Sequence, residues 1–380
     1  MEQEDTIKNF SYVGIARIAT VALQALFYLL FAALLDPEVY GELSVLLALA
    51  ATFSISSIFG LNLSLQVFRA KNKSIICDQL GTLFLVLTTC AAIILLFIEP
   101  VAALLCVTLS FFTLNQANLL GLKKYKKFMF FSILKSGTFF VIPIVLYFVF
   151  DLYGIILGMA ISNFLGSLPI LKNLKIVSFY DLKNNYKVLV NNFGVTIGTA
   201  LPNTIDKLAI APLFGFFIVG IYQFNFQVFM ALAILPGILS TYLVTEESSG
   251  KRHRKLSYIV IISSIVIAVI AIFLAPILIP SFFPKYVEGI PALQILLLAI
   301  IPRSFNAILM PKLLAKESTK IGYVSILRIA SILILIAIFG ELFGLIGLSL
   351  AVLLSITISL IFLYFIYRKS LSTENNINSH

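Results

Sequence analysis

Apolar stretches recur along the whole chain, separated by short polar segments. A transmembrane helix needs about 20 apolar residues to cross the hydrocarbon core of a bilayer. Read with that length, the pattern predicts twelve spans, at about residues 11–34, 43–66, 79–98, 101–121, 129–150, 152–171, 188–212, 218–243, 256–279, 289–311, 321–340 and 343–366. The predicted fold class is therefore an all-α polytopic membrane protein.

The composition supports this prediction and excludes most soluble functions. Of the 380 residues, 60% are hydrophobic and 12% are charged, against about 45–50% and about 25% in soluble domains. The mean hydropathy is +1.06. Three cysteines (Cys77, Cys90 and Cys106) and two histidines form no metal-ligand or disulfide pattern, and no P-loop motif occurs. We expect no metal, no cofactor and no nucleotide hydrolysis, so energy for any transport comes from a gradient or a partner.

The net charge of +10 has a topological explanation. Twenty-one of the 27 Lys and Arg residues lie at the amino terminus, in the even-numbered connections or at the carboxyl tail. The odd-numbered connections hold Lys285 alone and carry acids such as Asp36, Glu99 and Asp151. By the positive-inside rule, both termini are predicted to be cytoplasmic in a multi-pass plasma-membrane protein. This distribution predicts contact with membrane lipids and no binding of nucleic acid.

The two halves of the chain resemble each other. Ser132–Lys135 matches Ser325–Arg328 at an offset of 193 (325 − 132), Leu152–Ile156 resembles Leu342–Ile346, and Gly41 corresponds to Gly220. Parallel repeats of this kind are related by an axis along the membrane normal, and transporters built this way bind substrate between the halves. We predict two pseudo-symmetric six-helix bundles around a central cavity. The predicted segments are an amino-terminal bundle (1–175), a cytoplasmic connection (176–187), a second bundle (188–367) and a polar cytoplasmic tail (368–380).

Five basic residues fall inside the predicted spans, where charge is costly. They are Arg17, Lys135, Lys207, Arg303 and Arg328. Each costs roughly 2.5–3.5 kcal/mol at the centre of a helix on insertion scales. Two explanations stay open: these residues line a cationic cavity that accepts an anion, or their long side chains reach back to the membrane interface.

The predicted spans hold one acid, Asp206, directly before Lys207. Adjacent residues on a helix point about 100° apart, so the two need not pair with each other. Asp206 and Lys207 are candidates for coupling transport to H⁺ or Na⁺. The alternative is a structural ion pair near the outer interface.

Uncharged polar residues also share helix faces. Asn115 and Asn118 are three residues apart, and Gln223 and Gln227 are four apart. Each pair either lines a sugar-binding cavity or forms hydrogen bonds between helices. The 34 Phe and 15 Tyr are interpreted mostly as lipid-facing bulk and interfacial belt.

Four short segments resemble a known family. They are Asp36–Gly41 after the first span, Ile205–Leu208 and Val219–Tyr222 in the seventh and eighth, and Phe282–Tyr286 before the tenth. In order and spacing they resemble the flippases of polysaccharide biosynthesis, which export O-antigen and teichoic acid. That family lies in a superfamily with the lipid II flippases and the multidrug and toxin extrusion antiporters. Two positions depart from the family pattern: Ala33 replaces a frequent basic residue, and Asp36 replaces the usual Gly before the proline.

The resemblance implies a function that the residues alone only permit. It implies a flippase, not an enzyme, that moves polyprenyl-pyrophosphate-linked oligosaccharide from the inner to the outer leaflet by alternating access. Arg17, Lys135, Arg303 and Arg328 would then bind the pyrophosphate, and glycan-assembly proteins would be partners. The main alternative is an ion-coupled drug or metabolite antiporter on the same fold. A membrane enzyme or a receptor is a further class, but the outer connections are about ten residues or shorter and offer no catalytic domain.

Overall fold

A computed structural model of the chain describes residues 2–178, 186–234, 254–315 and 321–377. These residues form twelve α-helices: α1 (Glu2–Leu34), α2 (Pro37–Ile58), α3 (Leu61–Ala70), α4 (Ser74–Leu96), α5 (Pro100–Gly121), α6 (Tyr125–Leu171), α7 (Tyr186–Ala200), α8 (Ile205–Leu232), α9 (Arg254–Phe282), α10 (Ile290–Leu298), α11 (Ile300–Ala315) and α12 (Ile321–Ile377). Short 3₁₀ turns at Leu201–Asn203 and Pro284–Gly289 join α7 to α8 and precede α10. No strand occurs in the part of the chain that the structure describes.

Three of the apolar segments are too long to be single spans. Nine segments among the described residues are long and apolar enough to cross a membrane, and three of these have 47, 45 and 48 residues. At 1.5 Å per residue each of the three is about 70 Å long, twice the thickness of the hydrocarbon core. Each contains a residue with positive φ, at Asp151, Gly215 and Gly344. Nine segments plus three divisions give twelve spans, and the predicted class of polytopic all-α membrane protein is confirmed.

The described helices belong to two compact units. Unit 1 contains residues 1–30 and 43–205, and unit 2 contains residues 31–42 and 206–380. The end of α1 and the start of α2 therefore pack with the carboxyl-terminal helices, while α7 packs with the amino-terminal ones. The division into bundles at 1–175 and 188–367 is a division by sequence and stays a prediction.

The second predicted span, 43–66, is not one continuous helix. The chain turns at Phe59 (φ 48°) and Gly60 (φ 69°), so α2 ends at Ile58 and α3 begins at Leu61. A side chain at Gly60 would overlap the backbone of Asn192 and Phe193 in α7. Hydropathy does not detect this break because both sides of it are apolar, and the apolar side of α3 packs into the core of unit 1.

Inside unit 2, the helices α2 and α8 approach each other closely at two glycines that the repeat relates. A Cβ atom at Gly41 would overlap the carbonyl group of Phe216, and a Cβ atom at Gly220 would overlap the carbonyl group of Pro37. The contact is reciprocal, because an offset of 179 relates both Pro37 to Phe216 and Gly41 to Gly220. Reciprocal contacts of this kind are the signature of a local two-fold axis. The structure thus supports the weakest of the sequence similarities as a true repeat.

The repeat at the last spans has a different register from the one predicted. Asp151 (φ 48°, ψ −135°) and Gly344 (φ 56°, ψ −133°) form the same tight turn inside α6 and α12. Three residues later, Gly154 and Gly347 each pack against the carbonyl of a residue eight positions earlier. Both pairs are offset by 193 (344 − 151 and 347 − 154), like Lys135 and Arg328. The similarity of Leu152–Ile156 to Leu342–Ile346, offset by 190, was therefore the wrong alignment, produced by the recurrence of Leu, Gly and Ile.

Candidate functional site

Unit 2 holds a buried ion pair at the first turn of α8. The Lys207 ammonium lies 2.9 Å from Asp206 Oδ1, and the hydroxyl of Tyr222 donates to Asp206 Oδ2 over 2.6 Å. The backbone N–H of Lys207 also donates to Asp206 Oδ1. Asp206 is only 1% exposed and Lys207 only 4%. The adjacent residues pair because the flexible lysine side chain folds back to the carboxylate at the helix start.

Two further cations accompany this pair. Arg328 lies within electrostatic range of both Asp206 and Tyr222, and it lies close enough to Arg303 for the two guanidinium groups to repel each other. The guanidinium of Arg303 stands 5.5 Å from the ring centre of Phe229. Unit 2 therefore brings three of the predicted intramembrane bases into one region with one acid. Lys207 pairs with Asp206, Arg328 lies within electrostatic range of Asp206, and Arg303 lies within electrostatic range of Arg328. Three positive charges and one negative charge leave a net charge of +2 (3 − 1). We call Asp206, Lys207, Arg303 and Arg328 the unit 2 charge cluster.

Lys135, the repeat equivalent of Arg328, lies in unit 1. It is 6% exposed and makes no ion pair with an acid among the described residues. Its ammonium lies over the ring of Phe139 at 3.9 Å and near that of Phe112 at 5.5 Å. Its Cβ atom is packed against Gly166, where a side chain would overlap it. Aromatic faces partly replace the lost water around a buried cation, but they do not neutralise its charge.

Arg17 is the one predicted basic site residue that is exposed. It lies on α1 in unit 1, one turn before Thr20, whose hydroxyl accepts a hydrogen bond from Ser136 next to Lys135. The helix face that carries Arg17 therefore adjoins the helix that carries Lys135. The described contacts agree with either of the two explanations proposed for Arg17.

The four amide side chains differ in their surroundings. Asn115 donates to the carbonyl of Gly166 over 2.8 Å, and Asn118 accepts from Arg69 Nε over 3.2 Å. Both residues are buried, and both contacts agree with the alternative that they join helices. Gln223 is buried, and its Oε1 has no hydrogen-bond partner among the described residues, whereas Gln227 is only half-buried.

The sequence interpretation missed the aromatic residues that hold the cations. The sequence interpretation treats the aromatic residues mostly as lipid-facing bulk and singles out none of them, yet the ring centres of Phe139 and Phe226 lie 3.9 Å and 4.3 Å from the ammonium groups of Lys135 and Lys207. Phe139 follows Lys135 by four residues, a spacing that places both on one helix face and could have indicated the contact. Tyr222 is separated by 16 residues from the acid it contacts, so no local spacing indicated its role.

The described residues offer no metal site, since no three His, Cys, Asp or Glu side chains among them lie close enough to hold an ion together. The predicted intramembrane charged residues are mainly positive. The unit 2 charge cluster holds three bases and one acid, a net charge of +2 (3 − 1), and Lys135 is a further buried base in unit 1. A cluster of this charge suits an anion better than a cation.

Comparison by sequence finds a relative without an assigned activity. The chain is 24% identical to an uncharacterised membrane protein of Methanocaldococcus jannaschii, in an alignment of 405 positions that covers 95% of this chain and 98% of the relative. No family model matches the chain.

Comparison by structure finds transporters and a flippase. A MATE transporter in complex with MaL6 has a TM-score of 0.63 at 16% identity and matches 97% of each chain. The lipid II flippase MurJ in an inward closed conformation has a TM-score of 0.61 at 17% identity, over 95% of this chain and 87% of MurJ. A MATE transporter of Vibrio cholerae has a TM-score of 0.59 at 13% identity, over 97% and 98%. The chain therefore has the fold that these membrane proteins share.

Proposed function

We propose that this protein is a flippase that moves polyprenyl-pyrophosphate-linked oligosaccharide from the inner to the outer leaflet by alternating access. The observation that carries the proposal is the excess of bases over acids in the unit 2 charge cluster, three against one. The proposed location of the protein is the plasma membrane, with both termini in the cytoplasm. Its proposed partners are glycan-assembly proteins. The shared fold with MurJ, described as a lipid II flippase, supports the same class of activity.

The charge cluster has the chemistry that a pyrophosphate requires. Guanidinium groups bind phosphate oxygens through two parallel hydrogen bonds, and ammonium groups attract them as point charges. Arg303 and Arg328 carry the same charge and lie within electrostatic range of each other, so both would attract an anion bound near them. Lys135 and Arg17 are the proposed substrate-binding cations of unit 1.

Asp206 is the proposed coupling residue for H⁺ or Na⁺. Its carboxylate already accepts hydrogen bonds from Lys207 and Tyr222. An incoming cation therefore competes with the Lys207 ammonium for the carboxylate oxygens, and release of that ammonium adds a positive charge for the substrate. Coupling through this pair would link ion binding to the capture of an anion.

The alternative is an ion-coupled antiporter of drugs or metabolites. It is favoured by the fold shared with multidrug resistance MATE transporters. The unit 2 charge cluster argues against organic cations as its substrates, because it holds three bases and one acid that already has partners. Anionic metabolites remain compatible with the interior.

Transport in proteoliposomes tests the proposal. A fluorescent polyprenyl-pyrophosphate oligosaccharide is incorporated in the membrane, and its exposure to an impermeant glycosidase on the far side is measured with and without H⁺ and Na⁺ gradients. The variant Arg303→Gln/Arg328→Gln removes two charge-assisted contacts of about 1.5–3 kcal/mol each, so we expect transport to fall at least tenfold. Lys255→Gln, which removes an exposed charge, is the matched control and should transport like the wild type.

Three results would contradict the proposal. Transport no faster than in empty liposomes would exclude lipid-linked glycans as substrates. Full transport by a correctly inserted Arg303→Gln/Arg328→Gln variant would exclude the charge cluster as the binding site. Gradient-driven uptake of a small anion by a chain that does not move the glycan would establish the antiporter instead.

A further inference from the structure

Three turns of unit 1 form one strongly basic surface at the ends of its helices. They are the turns between α3 and α4, between α5 and α6, and after α6. Gly121 at the end of α5 abuts Arg69, and Asp78 in α4 lies 3.8 Å from both Arg69 and Lys175. We call the exposed lysines of these turns the lysine face: Lys71, Lys73, Lys123, Lys124, Lys126, Lys127, Lys172 and Lys175.

The charge of this surface is almost uncompensated. Residues 69–78, 121–127 and 171–178 contain nine basic residues and one acid, a net charge of +8 (9 − 1). The acid is Asp78, which already contacts Arg69 and Lys175. The other lysines of the surface have no ion-pair partner among the described residues.

Membrane topology explains the sign of these charges but not their positions. Positive charge is favourable at the end of a helix and unfavourable at its start, because of the helix dipole. Lys71, Lys123 and Lys172 follow the ends of α3, α5 and α6, as the dipole favours. The positive-inside rule would be satisfied equally well if every lysine stood there.

The remaining lysines stand where the helices disfavour them. Lys73 and Lys124 occupy the cap positions of α4 and α6, and neither start has an acid or a side-chain cap. Lys126 and Lys127 lie in the first turn of α6. This arrangement is unfavourable unless negative charge lies opposite the helix starts.

We infer that the lysine face binds the phosphate groups of anionic phospholipids, chiefly through the lysines at the helix starts. Both helices are membrane spans, so their first turns stand at the depth of the lipid headgroups. An ammonium there reaches the phosphate layer, while the four-carbon stem stays along the apolar helix. The partner is thus the lipid at the boundary of unit 1, and the inference does not depend on which substrate is transported.

The absence of tryptophan from the chain permits a direct test. Tyr125→Trp places a single fluorophore between Lys124 and Lys126, and Tyr153→Trp places one next to the turn at Asp151, beyond the opposite end of the first span of α6. Each full-length variant is reconstituted in mixed phosphatidylcholine and phosphatidylglycerol, with bromine on one lipid or the other as quencher. Relative quenching gives the preference for the anionic lipid at each end of this span.

One lysine near the membrane surface attracts anionic lipid by an energy that corresponds to about a fivefold preference. We therefore expect the Tyr125→Trp reporter to prefer phosphatidylglycerol by about fivefold or more. The triple variant Lys73→Gln/Lys124→Gln/Lys126→Gln should lower this preference to nearly one. The matched triple Lys71→Gln/Lys123→Gln/Lys172→Gln, with the same loss of charge, should retain most of it. The Tyr153→Trp reporter should show no preference.

Several results would overturn the inference. They are an absent preference at Tyr125→Trp, an equal preference at Tyr153→Trp, or equal losses in the two triple variants. Gel filtration in detergent checks that both triples are folded, and circular dichroism checks that they keep the helix content of the wild type. Because the readout is lipid contact and not transport, its failure is separate from failure of the proposed flippase activity.

Discussion

Removal of the Asp206 carboxylate should destabilise the protein more than removal of the whole ion pair. Asp206→Asn leaves the buried ammonium of Lys207 without its counterion, 2.9 Å from a neutral amide. Breaking a buried pair from one side costs about 3–5 kcal/mol, whereas replacing both partners by neutral groups is often neutral. Arg328 adds repulsion once the carboxylate is gone, since it lies within electrostatic range of Asp206.

The structure also sets the size of the related changes. The hydrogen bond from Tyr222 to Asp206 is short and charge-assisted, so Tyr222→Phe should cost about 1.5–3 kcal/mol. Neutral hydrogen bonds between membrane helices average only about 0.6 kcal/mol, so this range would identify Asp206 as ionised. We expect a loss of about 3 kcal/mol for Asp206→Asn and a loss below about 1 kcal/mol for Asp206→Asn/Lys207→Met.

The assay is SDS titration of the purified full chain in mixed micelles, with helix content followed by circular dichroism. Lys255→Met, at an exposed position, is the control for loss of a lysine and should change the free energy of unfolding by less than about 0.5 kcal/mol. A double variant as unstable as Asp206→Asn would refute the reasoning, because the unpaired ammonium of Lys207 would then not be the source of the instability.

Three further predictions follow from packing and burial. Lys135→Met should leave the free energy of unfolding unchanged or raise it by about 1 kcal/mol while transport falls, because a buried charge without an acidic partner costs stability; a stability loss in thermal unfolding would contradict this. Gly41→Ala should lower the free energy of unfolding by more than about 2 kcal/mol, since the methyl group would overlap the carbonyl of Phe216. Its control is Gly14→Ala, which has open space around it and should be neutral or stabilising in the same SDS titration. Gly344→Ala, at φ 56°, should cost about 1–3 kcal/mol through backbone strain; its control is Gly322→Ala, and equal SDS midpoints for the two variants would show that the turn tolerates a side chain.

The sequence predicted the number and the approximate limits of the membrane spans. Their apolar length is a property of consecutive residues, and the bilayer requires the same length wherever a helix crosses it. The boundary between the fifth and sixth spans, at residues 150–152, agrees with the turn at Phe150 and Asp151. The break at Phe59 and Gly60 was missed, because a turn between two apolar helices leaves hydropathy unchanged.

The sequence also indicated which residues carry unusual charge, but not what surrounds them. Charge inside an apolar span is visible at once, and all of Lys135, Asp206 and Arg303 were found this way. Whether the charge has a counterion depends on residues far apart in the chain, such as Tyr222 beside Asp206. The same limit applies to the aromatic ring of Phe229 beside Arg303, 74 positions away (303 − 229).

The sequence by itself therefore determined that this protein lies in a lipid bilayer and in what order its spans follow one another, since both depend on hydrophobicity summed along the chain. Tertiary structure alone decided that Lys207 is neutralised by its neighbour, that repeat-related helices approach closely at Gly41 and Gly220, and that the ammonium of Lys135 lies against the rings of Phe139 and Phe112. These properties depend on distances of a few ångströms between side chains, and electrostatic and packing energies change steeply over such distances.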